Sequence, residues 1–72
     1  MGGKGLRTYT DAVQELACLE RLRLRTEDAE LVSSLSLRLR GGVETLAFLF
    51  EADVAEVKED VCVAAALDGL GL

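Results

Sequence analysis

The groups in this chain able to do chemistry are carboxylates, guanidiniums and two thiols, and there is no histidine. Without an imidazole, neither a Ser-His nor a Cys-His nucleophile can be assembled. Cys18 and Cys62 are too few to hold a structural zinc by themselves. Glu56, Glu59 and Asp60 cluster, as do Glu27, Asp28 and Glu30, but both groups match solvated helix faces better than acid–base pairs. The glycine pairs fit neither G-x-G-x-x-G nor G-x-x-x-x-G-K-[ST], so no phosphate-cradling loop is expected. We therefore expect no catalytic residue, no cofactor and no metal.

Binding chemistry is better represented. Arg38 and Arg40 alternate with leucines and would share one face of an extended strand with Ser34 and Ser36. Such a face either keeps a sheet solvated or offers a basic stripe to a partner's carboxylates or an RNA backbone. Arg21, Arg23 and Arg25 would extend it. Lys58 is a lone cation among acids, placed to pair with a neighbour.

The element positioning these arginines is Ser34–Ala52. Leu35, Leu37 and Leu39 alternate with polar residues at the period of a half-buried strand. Gly41-Gly42 supplies the positive φ that tight hairpin turns need. The run from Val43 then places Leu46, Phe48 and Phe50 on one face and Val43, Ala47 and Leu49 on the other. The spacing predicts a β-hairpin. A short strand is expected at Leu6–Tyr9, after a Gly-rich, mobile stretch over residues 1–5.

Two helices are expected beside the hairpin. Thr10 or Asp11 would cap the first, with Gln14 completing a capping box, and Ala12, Val13, Leu16, Ala17, Leu19 and Leu22 recur at helical spacing to about Leu24. A polar connection then leads to a strand from Val32. Asp53 with Glu56 would cap the second helix, with Val54, Val57, Val61, Ala64 and Ala65 as its apolar stripe. From Val61 to Leu67 that helix is apolar all round, which marks a buried helix, and Gly69 and Gly71 would end it.

Seventy-two residues make one domain, here residues 6–72, whose core supplies only ~3–5 kcal/mol. Cys18 and Cys62 could form one disulfide, but a lone pair without a secretory signal more often means two buried, reduced thiols, with Cys62 a small hydrophobe. Half the residues are hydrophobic, which excludes disorder. A net charge of −5 makes the chain a poor nucleic-acid binder alone, so tRNA or other RNA is expected only within an assembly. No run reaches the roughly 18 apolar residues of a membrane span. Leu6 occupies the position where a myristoylation signal wants Ser or Thr, and no signal peptide follows. A cytoplasmic location is expected.

More apolar faces remain than one small domain can cover. Homodimerisation is expected, with Ala47, Leu49, Val63, Ala66, Leu67 and Leu70 as candidate interface residues.

The order strand, helix, hairpin, helix resembles the small dimerising subunit of the KEOPS complex (the CTAG-like family). The stretch SLSLRLRGGVETLAFLFEAD, followed by Val54-Ala55-Glu56-Val57-Lys58, carries the likeness, together with Thr10-Asp11-Ala12 at the first helix. Lys58 stands where the family usually has Arg, and Cys62-Val63 where it has a polar step. The resemblance implies a non-catalytic subunit that dimerises and docks an ATP-binding catalytic subunit of a tRNA threonylcarbamoyladenosine-modifying complex. Val57, Lys58, Val61, Cys62 and Ala65 would make that contact, with Arg38 and Arg40 beside them.

The expected fold is thus α+β, a β-α-β-β-α order with a three-stranded sheet covered by two helices. Two alternatives stand beside it. Gly41 to Leu67 also resembles one armadillo repeat, which would make Leu46–Phe50 helical, and Val57 to Leu72 resembles the helix before a wing in winged-helix DNA binders.

Overall fold

Thr8 opens the first helix. Its hydroxyl accepts the Asp11 amide at 3.0 Å, and α1 runs over Tyr9–Arg25. In this computed structural model, which describes residues 8–69, the cap thus lies two residues before the expected Thr10, and Asp11 falls in the first turn. There its charge faces the positive end of the helix dipole. Leu and Arg are strong helix formers, so Arg21–Arg25 stays helical despite its alternation. Of the strand expected at Leu6–Tyr9, only Thr8 and Tyr9 are described, and Tyr9 is helical.

Three residues turn the chain. The Thr26 hydroxyl accepts the Asp28 amide, and Asp28 Oδ1 accepts the amides of Glu30 and Leu31 at 3.0 and 3.2 Å. Asp28 thereby caps α2, which runs unbroken over Ala29–Leu49. This helix replaces the whole expected hairpin. Among the described residues there is no strand, and the α+β fold with its three-stranded sheet is overturned by an all-helical three-helix bundle. The physical reason lies in spacing. Leu35, Leu39, Val43, Leu46 and Ala47 recur at i, i+4, i+8, i+11 and i+12, and all five are buried. A short period-2 run contains i, i+4 pairs as well, so six residues of alternation do not separate strand from helix.

The glycines sit mid-helix, where each costs about 0.5–1 kcal/mol relative to Ala. Packing explains one of them. A Cβ on Gly42 would lie 2.5 Å from Leu16 Cδ2 and 3.3 Å from its Cδ1, so Gly42 lets α1 cross close to α2. A Cβ on Gly41 would meet nothing within 4 Å. Leu46–Leu49 is helical, as the armadillo alternative required, and Phe50 is the C-cap that ends the helix.

The end of α2 is a left-handed cap with an unusual occupant. The Ala52 amide donates to the Ala47 carbonyl at 2.9 Å, and the Glu51 amide donates to Phe48 at 3.4 Å. These are the two bonds of a Schellman motif, and Glu51 at φ 53 takes the position that glycine usually fills. Ala52 then packs on the core, the apolar contact that accompanies this motif. Asp53 caps α3, Val54–Gly69, by accepting the Ala55 amide at 3.1 Å, as its place before the apolar stripe implied.

The core joins all three helices. Ala12, Val13, Leu16 and Ala17 of α1 meet Leu39, Val43, Leu46 and Ala47 of α2, and Val57, Val61, Ala64 and Ala65 of α3. Cys62 is exposed, contrary to its expected burial, because the core stripe of α3 passes through Val61 and Ala65 and leaves Cys62 on the flank. Cys18 is exposed too, and both thiols are free. Gly71 lies outside the described residues, and Gly69 is the last residue of α3.

Two stability outcomes follow from the glycines and the cap. Gly41→Ala should stabilise by about 0.5–1 kcal/mol, whereas Gly42→Ala displaces Leu16 and should be neutral or destabilising by up to about 2 kcal/mol. Equal urea midpoints for the two variants would refute the close crossing. Glu51→Gly should gain about 1 kcal/mol by removing the left-handed penalty, and a lowered thermal midpoint would show that no such penalty exists.

Candidate functional site

Helix α1 packs extensively on both other helices, while α2 and α3 touch each other far less. The gap they leave is an open groove of about 360 Å³. Leu39, Val43 and Val61 form its apolar floor, and all three are buried core residues. Arg40 rises from α2, Lys58 from α3 and Arg23 from α1, with Ser36 and Cys62 at the edge.

The charges there are unequal in their freedom. Arg23 is clamped by Glu20 one turn earlier, donating from Nε at 3.0 Å and from its terminal nitrogen at 2.8 Å. That two-pronged bond holds the Arg23 pKa above its already high ordinary value. Arg40 and Lys58 have no ion pair among the described residues, so the neighbour partner expected for Lys58 is not found. A second hollow of about 600 Å³ lies between the C-terminal halves of α1 and α3, lined by Leu24, Arg25, Ala65 and Ala66. Cys62 borders both hollows.

Of the residues expected to contact a partner, the groove gathers four: Arg40, Lys58, Val61 and Cys62. Val57 is wholly buried and Ala65 is a core residue, so neither forms an open face. Arg38 is exposed and stands away from the groove. The expected pairing of Arg38 with Arg40 required a strand; two residues apart on a helix they diverge by about 200°. Of the expected dimer residues, Ala47 is buried in the core, while Leu49, Val63, Ala66 and Leu67 are exposed. Leu70 lies outside the described residues.

Sequence reasoning missed a further surface. Phe48 is 82 % exposed and Leu37 64 %, and both lie on the outward side of α2 with Gly41 between them. Helical numbering of Leu35–Phe48 would have exposed the pattern, because residues 37, 41 and 48 share a face when 35, 39 and 46 share the opposite one.

At the other end of the bundle, Tyr9 ties three elements together. Its phenol donates to Asp60 Oδ2 of α3 at 2.6 Å, and its ring meets Phe50 edge-to-face at 5.4 Å between centroids. The hydrogen bond to Asp60, followed by partial burial and the charges of Asp60 and Glu56, pushes the phenol from 10.0 up to about 12. Among the described residues no group of three or more His, Cys, Asp or Glu is placed to hold a metal. None of the described helices is long and apolar enough to cross a membrane.

Comparison with protein-family models, curated proteins and solved structures finds no match. The class is therefore set by architecture alone: among the described residues, a small three-helix bundle with a cationic groove and an outward α2 face where Leu37, Gly41 and Phe48 flank an exposed Glu44.

The Tyr9 clasp gives a pH test. A folded-state pKa above the ordinary value favours the neutral phenol, so its contribution is complete below about pH 10 and fades as pH rises towards about 12. Tyr9→Phe should flatten stability over that window relative to the wild type. Absorbance titration reads the group directly, because Tyr9 is the chain's single tyrosine. A phenol titrating at its ordinary value would remove the clasp.

Proposed function

We propose that this chain is a non-catalytic binding module that works as a homodimer through the outer face of α2. The observation that carries the proposal is the exposure of Phe48 and Leu37 three turns apart on one face. Burying a side chain of this size contributes about 1.5–3 kcal/mol, a large share of what a fold of this length can muster. A two-fold axis across the middle of α2 lays Phe48 of each copy over Gly41 and Leu37 of the other. The missing side chain of Gly41, with nothing beside its Cβ position, is the hollow that receives the ring. Such a contact is isologous, so each residue acts twice.

The particular assembly implied by sequence likeness is a tRNA-modifying complex with an ATP-binding catalytic subunit, where any tRNA contact is made by the assembly. The strands that carried the likeness are helix here, so the fold lends that assembly nothing, and co-purification decides it. Recovery of a tRNA-modifying ATPase supports it; recovery of unrelated partners removes it. A cytoplasmic location fits two free, exposed thiols.

Sedimentation tests the dimer. The wild type should self-associate in the micromolar range, and Phe48→Glu should weaken association by roughly a hundredfold or more, since the loss counts in both copies. Leu67→Glu, on α3, should leave it unchanged. A wild-type chain that stays monomeric throughout that range removes the proposal.

A further inference from the structure

We propose that the groove between α2 and α3 binds a medium-chain alkyl carboxylate, tail along the floor and headgroup between Arg40 and Lys58. This ligand site is independent of the dimer. Its basis is a local reversal of charge. The chain carries thirteen acidic and eight basic residues, yet three of the basic ones and a single acidic one line this groove. That acid, Glu20, is already satisfied by both prongs of Arg23. Two cations without a partner among the described residues remain on facing walls, one from each helix.

Beneath them the surface is aliphatic. Leu39, Val43 and Val61 are branched hydrocarbon side chains with no polar atom, and Ser36 adds one hydroxyl at the edge. A pocket of about 360 Å³ lies within the roughly 300–1,000 Å³ range of small-molecule sites, at its small end. Apolar floor plus a few convergent polar groups is the usual composition of such sites. An ammonium headgroup would meet like charge from Arg40 and Lys58, with Glu20 already taken by Arg23, and a neutral alcohol would leave both cations unpaired. A carboxylate satisfies both, with the guanidinium able to bond it through two nitrogens. Phosphate or nucleotide ligands would fill the headgroup position but leave the floor wet.

Octanoate, titrated below its micelle concentration into the full chain, tests the site. Amide resonances of Ser36–Val43 and Lys58–Cys62 should shift saturably, and octyltrimethylammonium should leave them in place. Octanol should bind about tenfold more weakly or worse, the factor expected for losing a charge-assisted hydrogen bond. In a Cys18→Ser background, octanoate should slow alkylation of Cys62, which borders the groove. Arg40→Gln and Lys58→Gln should each weaken octanoate binding by about tenfold, with helicity by circular dichroism confirming that the variants fold. Equal binding of octanol and octanoate would overturn the proposal. So would shifts confined to Leu37 and Phe48, unsaturable shifts, or glutamine variants that bind like wild type.

Discussion

The bundle depends on α1, which packs extensively on both other helices, and at one point of its contact with α2 Leu16 lies against the bare backbone of Gly42. A side chain there would force the Leu16 side chain to shift and would disturb the core residues around it. Dispersion falls off steeply over a gap of even half an ångström, so a small separation would cost much of the packing between Val13 and Ala17 on one side and Val43 and Ala47 on the other. The chain accepts a glycine inside a 21-residue helix because the crossing returns more than helix propensity loses. With α1 drawn onto α2, and α3 laid against α1, the third contact between α2 and α3 is left loose. The groove is a consequence of that geometry.

Much of the helical content was readable before any coordinates. Asp53 before Val54 marks a helix start, and the stripe Val57, Val61, Ala64, Ala65 marks its buried face. The first helix was equally plain from Ala12 to Leu22, although its cap lay earlier than expected because Thr8 does the work assigned to Thr10. What was not readable was the middle. Alternation over Ser34–Arg40 and a Gly-Gly pair are local signals, and local signals yield to a long-range contact that only the fold supplies. The helical stripe Leu35, Leu39, Val43, Leu46, Ala47 was present in the same residues. Length would have been the better arbiter, since that stripe spans 13 positions and the alternation only a few.

The same error explains the half-success with the site. A strand places every second residue on one face, so Arg38 joined Arg40 and Ala47 joined Leu49. A helix separates both pairs: Arg40 turns to the groove and Ala47 to the core, while Arg38 and Leu49 stay outside. Residues on α3, whose helical character was expected, fared better, with Lys58, Val61 and Cys62 meeting at one groove. Arg23, expected to extend the basic stripe, does line the groove with Arg40, whereas Leu39 was missed because its contribution depends on which helices become neighbours, and spacing along the chain carries no record of that.

Helix α2 finally presents two surfaces that share an element without sharing a residue. Ser36, Leu39, Arg40 and Val43 face the groove, while Leu37, Gly41 and Phe48 face outward. The first set repeats at three- or four-residue intervals and the second at four and then seven, so each remains in line along the helix. A net-acidic chain repels a second copy of itself, and in the proposed dimer Phe48 would have to outweigh that repulsion, to which the exposed Glu44 on the same face adds. The inward surface does the opposite and concentrates cations where the rest of the chain is acidic. Such a field draws an anion to the groove over the short range that salt leaves unscreened, roughly 8–10 Å, and away from the remaining surface. The two faces share no residue, so occupancy of one need not displace a contact of the other.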